Sequence, residues 1–250
     1  MKFGFLVSAL FAAILCPPGQ LYAAPEPPPS QPDIRSIITD GTTAELAYHL
    51  RHHLNANSRL KGGMPLLVLA AYTGRLEMVH TLLQHGAEPN AAQEPGISAL
   101  SVAAATNNTH MLDLLLMHGA DKNFRADQGD TVLMLACSQG SIDAVQLLLA
   151  YKADPNLADC NGVTPLIYSI ARCQEANVIS RMLLEHGADP NARMKDGTTA
   201  LIAAALRNDA DCTRLLLSFG ADVKARDAEG MSARDLAKDV TIQQLLDAAQ

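Results

Sequence analysis

The chain has 250 residues, enough for one domain or two, and 48% of them are hydrophobic, so a sizeable core can form. It holds no Trp and only five Phe and five Tyr; a core of Leu, Ala, Val and Met suits thin stacked helices and argues against a sandwich or barrel rich in aromatic and β-branched residues. A formal charge of −7 repels phosphate backbones and argues against nucleic acid as a partner, while mild, dispersed acidity serves solubility.

The first residues have the layout of an export signal. Met1-Lys2 is a short basic start, and Phe3 to Cys16 is an apolar run too short to span a bilayer comfortably. Pro17-Pro18-Gly19 breaks the run, and Leu21-Tyr22-Ala23-Ala24 offers small residues for cleavage after Ala23 or Ala24. An uncleaved anchor is the competing reading. Lipidation on Cys16 is disfavoured, because Leu15 is bulky where that processing wants a small residue. Residues 1–23 are thus expected to be a signal peptide, and their loss takes the charge to −8, since Lys2 is their one charged group. Residues 24–32 hold the five prolines of the Pro25 to Pro32 stretch, a stiff polyproline-type linker and not a docking peptide.

From residue 33 the sequence repeats itself. His85-Gly86-Ala87-Glu88-Pro89-Asn90 returns as His118-Gly119-Ala120-Asp121-Lys122-Asn123 and as His186-Gly187-Ala188-Asp189-Pro190-Asn191. The Asn recurs at 57, 90, 123, 156 and 191, with Lys224 last, in steps of 33, 33, 33, 35 and 33. Six residues after each stands a glycine: Gly63, Gly96, Gly129, Gly162, Gly197 and Gly230. A helix start follows, as in Thr131-Val132-Leu133 and Thr164-Pro165-Leu166, where a hydroxyl caps free N–H groups and Pro is tolerated in the first turn. Small pairs such as Ala70-Ala71 and Ala103-Ala104 allow close helix approach, and a second helix carries Leu82-Leu83, Leu114 to Leu116 and Leu147 to Leu149. Gly86, Gly119, Gly187 and Gly220 end that helix, where a left-handed residue is wanted. One such pair cannot bury its own apolar face, but a stack can.

On these residues the chain resembles the ankyrin-repeat family over about residues 33 to 248. The resemblance implies an all-α solenoid of helix-turn-helix units joined by hairpin-like turns. Its domain, residues 33–250, divides into an N-terminal cap (33–57), five full repeats (58–90, 91–123, 124–156, 157–191 and 192–224) and a C-terminal cap (225–250). The family's Thr-Pro-Leu-His signature is met over three positions by Thr164-Pro165-Leu166. The family His is replaced by Val68, Ser101, Met134, Ile167 and Ile202, so apolar packing is expected in place of its polar network. Pro65 stands where Thr would cap, so that cap is weak. The two extra residues of the fourth repeat are expected in the turn between its helices, and the second helix of the last unit, about Ile242 to Ala248, is expected to be shortened.

Three constellations carry possible chemistry. Glu45, His49 and His53 are spaced i, i+4, i+8, with His52 nearby, in the manner of a metal or haem site. Leu46, Leu50 and Leu54 claim the buried stripe, however, leaving the imidazoles on a solvated flank that nothing closes. His85, His118 and His186 would stack as a column, which the resemblance explains as helix-end capping. Of the four cysteines in the mature chain, Cys137 takes a small core position, Cys160 a turn tip, and Cys173 and Cys212 lie near enough in repeat register that a disulfide between them stays open. No catalytic cysteine, phosphate loop, serine elbow or zinc-protease helix is found, and a regular solenoid offers no natural deep pocket. Neither catalytic residues, nor a metal site, nor a cofactor is expected.

The resemblance places function on the concave face, made by hairpin tips and the exposed positions of each first helix. Register names Tyr72; Glu94 and Ile97; Asp127, Gln128, Asp130 and Ser138; Asn161, Tyr168 and Arg172; and Lys195, Asp196, Leu206 and Arg207. Tyr168 and Arg172 are the preferred anchors, since Tyr and Arg are favoured at protein interfaces. The expected function is a non-catalytic, protein-binding module of a Gram-negative periplasm, or a secreted one, monomeric when free and with no membrane insertion after signal cleavage. The partner is either a resident exported enzyme that it assists or an arriving toxin that it blocks as an immunity-type protein. A metal or haem handler built on His49, His52 and His53, and a host-directed effector, are the remaining readings.

Overall fold

The computed structural model describes residues 33–94, 96–126, 128–172 and 176–249. The signal segment, the linker, Asp127 and Cys173 lie outside the described residues. The chain divides into two units, Met1–Asp33 and Ile34–Gln250, and the second holds every element described below.

Among the described residues fourteen helices follow one another as seven pairs: α1 Ile34–Thr39 and α2 Thr43–His52, α3 Leu66–Tyr72 and α4 Leu76–Gln84, α5 Ala99–Ala105 and α6 Thr109–Met117, α7 Val132–Ser138 and α8 Ile142–Ala150, α9 Pro165–Arg172 and α10 Ala176–Glu185, α11 Ala200–Leu206 and α12 Ala210–Ser218, α13 Ala233–Leu236 and α14 Val240–Ala248. Each odd-numbered helix packs on the next odd one, and each even on the next even, giving two layers. The fold class is the expected helical repeat solenoid. Small side chains line the first layer (Ala70, Ala71, Ala103, Ala104, Ala136, Cys137, Ala204 and Ala205, all buried), whereas the second packs through Leu, Met and Ile. The first layer therefore stacks more tightly, which makes its side the inner one of the curve.

Helix starts follow the reading of their hydroxyl residues. The side chains of Ser98, Thr131 and Thr199 accept from the backbone N–H three residues on. Pro65 makes no side-chain cap, as expected of the weak first unit. Val68, Met134, Ile167 and Ile202 are buried apolar replacements for the family His, and Ser101 instead closes a capping box with Ser98.

The repeating Asn is explained by what lies one repeat away. Asn57 Oδ1 accepts from the Glu88 N–H at 2.7 Å while its Nδ2 donates to the Gly86 carbonyl at 3.0 Å. Asn156 does the same to Asp189 (2.7 Å) and Gly187 (2.9 Å), and Asn191 to Asp222 (2.7 Å) and Gly220 (3.1 Å). Asn90 repeats the pair with Asp121 and Gly119. Each bridge occupies the loop that closes the next second-layer helix, whose last carbonyls have no partner in their own helix. The hairpins are tied in the same direction. Arg59 Nη1 donates to Ala92 O at 2.8 Å and Arg193 Nη1 to Arg226 O at 3.0 Å, and Arg125 Nη2 donates to Ala158 O.

Two glycines of the second series stand under a neighbour. At Gly162 (φ +82°) an added Cβ would lie 3.0 Å from Arg193 O and Met194 Cα, and at Gly197 (φ +79°) 3.0 Å from Asp227 Cα. Positive φ and close approach both require glycine there.

In the fourth repeat α9 has 8 residues and α10 has 10, against 7 and 9 in the following repeat, and the segment between them, where the two extra residues are expected, lies outside the described residues. One expectation is corrected. In the last pair it is the first helix that is short, with 4 residues, while α14 keeps 9. The Lys238 and Asp239 amides both turn to Asn208 Oδ1, and Asp239 then caps α14, which ends α13 early.

Replacing Asn156 with Ala removes two inter-repeat bonds and strands a carbonyl and an amide. The expected cost is about 1–2 kcal/mol, checked as a lower urea midpoint with little change in slope. A second expectation concerns acid. Asp235 is held below the usual carboxylate range by the Ser232 backbone N–H and then the Ser232 hydroxyl, and Asp239 by the Thr241 N–H. A lowered folded value means that each contributes stability above the ordinary carboxylate range and loses it as pH falls through the folded value. Amides of α13 and α14 should therefore lose hydrogen-exchange protection before those of α5 to α8 as pH drops below about 4; uniform loss would contradict this.

Candidate protein-binding face

The inner surface grows out of helical periodicity. Within each first-layer helix, residues three apart share a face, so the residue at Leu69 and the one at Tyr72 point together. In register these make two columns: Leu69, Val102, Leu135, Tyr168 and Ala203, then Tyr72, Ala105, Ser138, Ala171 and Leu206. The first column is nearly covered by its neighbours, with Leu135 the most accessible. The second is open: Tyr72, Ala105 and Ser138 are half-buried, Ala171 is exposed, and Leu206 is 55% exposed. From α3 to α11 the five inner helices carry one charged residue, Arg172, at the end of α9. Burial pushes the Tyr72 hydroxyl up to about 12, so it too stays uncharged at ordinary pH. The result is an apolar strip crossing five repeats.

Beside the strip stand the hairpin tips. β1 (Ala92–Gln93) and β2 (Ile97–Ser98) form the best-developed hairpin, with Gln93 opposite Ile97. The later tips are threaded together by backbone bonds: Cys160 N donates to Gln128 O at 2.9 Å, Lys195 N to Asn161 O at 2.9 Å, and Ala228 N to Asp196 O at 2.7 Å. Their main chains are thereby held while the side chains of Gln128, Asn161, Lys195 and Asp196 face solvent, as does Glu94 on the first hairpin. Ile97 is half-buried against the core. Arg207, exposed at the end of the strip, is held by a bond from its Nη1 to Ala171 O at 2.8 Å.

Two expected site residues are corrected. Tyr168, a preferred anchor, is only 5% exposed, so it offers a partner little surface. Asp130 is likewise 5% exposed, folded under its own hairpin, where its carbonyl accepts from Ala126 N at 2.9 Å. Arg172 ends α9, but its side chain, like Asp127, lies outside the described residues. The hairpin arginines Arg59, Arg125 and Arg193 escaped the sequence reading. Their signal was present, since each stands two residues after a repeat Asn.

The other constellations resolve into structure. His85 Nδ1 lies 2.9 Å from Thr81 O and His186 Nδ1 2.8 Å from Met182 O, so both close helix ends. His49 and His52 pack their rings around Tyr48, with centroids 5.5 and 4.6 Å away. Among the described residues no three His, Cys, Asp or Glu side chains gather closely enough to hold a metal ion. Cys212 carries a free thiol buried in α12, its partner in the open disulfide question lying outside the described residues. Among the described residues no helix is long and apolar enough to cross a membrane.

Comparison with known proteins agrees with this architecture. A model of three copies of the ankyrin repeat matches residues 67–159 and again 100–194, and a model of many copies matches 183–237. The chain belongs to the ankyrin-repeat family. Its structure is similar to the ankyrin repeat domain of Bcl-3, a member of the IkappaB protein family, with TM-score 0.79, 25% identity, and coverage of 87% of this chain and 99% of that one. It is also similar to an ankyrin repeat domain from Acinetobacter baumannii AYE, with TM-score 0.73, 28% identity, and coverage of 76% and 98%. The human ASB11 ankyrin repeat domain shares the fold, with TM-score 0.71 at 23% identity over 88% and 98% of the two chains. No curated protein matches the sequence. Ankyrin repeats generally mediate protein–protein interaction and are typically non-catalytic.

The three described cysteines should separate chemically. Cys160 is exposed at a hairpin tip, Cys137 is buried, and burial pushes the Cys212 thiol up to about 12, so little thiolate forms there at mildly alkaline pH. Iodoacetamide followed by peptide mass mapping should label Cys160 in the native protein and reach Cys137 and Cys212 only after denaturation.

Proposed function

We propose that this protein is an exported, non-catalytic binding module that holds a partner protein against its inner strip and hairpin tips. The observation that carries the reading is the combination on one face. An uncharged, partly exposed strip ends in Leu206, and beside it stands a row of polar tips fixed by backbone bonds. A dry apolar centre beside a polar rim is the anatomy of a specific protein interface. Rigid tips lose little freedom on binding. The residues assigned to the contact are Tyr72, Ser138 and Leu206 on the strip, Arg207 at its end, and Glu94, Gln128, Asn161, Lys195 and Asp196 on the tips. The basic start, short apolar run and Ala23-Ala24 site support delivery to a bacterial periplasm. Within this reading, a helper of an exported enzyme and an inhibitor of an incoming toxin differ only in what binding does to the partner's activity. The mature charge of −8 favours a basic partner for either role.

Chain 24–250 immobilised and exposed to envelope extract should retain one partner in stoichiometric amount. Leu206→Glu, which sets a charge in the strip, should lose it. Gln146→Glu, on the outer surface of α8, should retain it. Equal retention by both variants would remove the inner face from the interaction, and assay of the partner with and without the bound chain separates helper from inhibitor.

A further inference from the structure

The histidines are distributed very unevenly. Seven of the eight fall between residues 49 and 118. They also share one side of the solenoid: His49, His52 and His53 on or just after α2, His80 and His85 on or just after α4, and His110 and His118 on or just after α6. These are three consecutive helices of the outer layer. His52, His85 and His118 stand in register, 33 residues apart, at the ends of those helices, and the rings of His80 and His118 approach to 6.3 Å. His52, His53, His110 and His118 are exposed, and the other three are half-buried.

Twelve charged groups stand around them. On the three helices themselves stand Glu45, Arg51, Glu77 and Asp113, the last already accepting from the Tyr151 hydroxyl at 2.7 Å. From the elements packed against them come Arg35 of α1 and Asp143 of α8, and α3 and α5 contribute none. The adjoining turns add Asp40, Glu88, Asp121, Lys122 and Lys152, and Arg75, whose guanidinium is bound to Ile38 O and Gly41 O. Residues 33–123 hold eight carboxylates against six Lys and Arg, a balance of −2; protonating the seven imidazoles makes it +5. Residues 124–250 hold seventeen carboxylates, twelve Lys and Arg and one His, so they move only from −5 to −4. Histidine is the side chain whose charge changes between about pH 5 and 8. Full protonation of the histidines thus reverses the sign of one half of the solenoid and leaves the other half acidic.

The same face exposes apolar side chains: Tyr48, 57% exposed between His49 and His52, and Met117, 71% exposed beside His118. We propose that the outer face of α2, α4 and α6 is an acid-activated docking surface for anionic lipid bilayers. The imidazolium groups would meet headgroup phosphates, and Tyr48 and Met117 would enter the interfacial layer. A ring with a polar tip suits that depth, and cationic side chains near an anionic leaflet each add to the attraction. The acidic second half is repelled from the same surface, so the protein stands on the membrane by its first three units, and its inner strip remains accessible. The inference does not depend on the partner-binding reading.

The test is co-sedimentation of chain 24–250, which retains the whole compact unit, with phosphatidylglycerol-containing vesicles and with neutral phosphatidylcholine vesicles. Between about pH 8 and pH 5, partitioning onto the anionic vesicles should rise on the order of tenfold to a hundredfold. High salt should reverse the rise, and neutral vesicles should show none. The variant H52Q/H53Q/H110Q/H118Q should lose the increase, and H52K/H53K/H110K/H118K should bind at both pH values; circular dichroism confirms that both are folded. Binding independent of pH, equal binding to neutral vesicles, or an unaffected glutamine variant would overturn the proposal. So would acid-dependent sedimentation without vesicles, which would identify the acidic half of a second copy as the occupant.

Discussion

The carboxamide of the repeat asparagine faces two ways. At Asn57, Asn156 and Asn191 its oxygen accepts from one amide of the next repeat and its nitrogen donates to a carbonyl four or five atoms of loop away. Only a side chain with a donor and an acceptor at fixed separation can do this. The bridge satisfies a helix end that would otherwise be left bare, and it sets the position of each second-layer helix relative to the one before. Aspartate could accept but not donate, and Lys224, at the end of the series, can donate but not accept.

From that register the two surfaces follow. Because each repeat sits on the last in the same pose, a residue type at one position becomes a column on the solenoid. Small residues repeated in the first layer draw that layer together and leave an uncharged inner strip. Glycines repeated at the hairpins let one tip pass directly beneath the next, with main chain where a Cβ would be. The tips are therefore linked by backbone hydrogen bonds, which leaves their side chains free to vary. On the outer layer the same logic turns three histidines at one position, His52, His85 and His118, into a row on one side of the molecule.

The departures from the family pattern show which parts of a repeat tolerate change. Losing the family His in the first helix leaves no buried polar group unsatisfied, because Val68, Met134, Ile167 and Ile202 fill the space with apolar volume and Ser101 is bonded to Ser98. Two residues added to the fourth repeat leave the inter-repeat contacts of α9 and α10 in place. Both changes keep the nearest-neighbour interfaces, where the stability of a solenoid resides.

The repeat, its length, the helix starts and the role of most glycines were legible in the sequence. Each depends on local chemistry at a fixed spacing, and repetition makes that spacing visible. The buried fate of Tyr168 and Asp130 was not legible, although both stand in the correct register. Whether a side chain at a first-layer position is covered depends on the bulk of its neighbours one repeat away, a distance that sequence separation does not measure. The same holds for the hairpin arginines, which bond carbonyls thirty-three residues on. By itself the sequence determined the fold class and the order of the units, because those follow from periodicity. Only the tertiary structure decided which residues of each column remain exposed, because exposure is settled by packing between repeats.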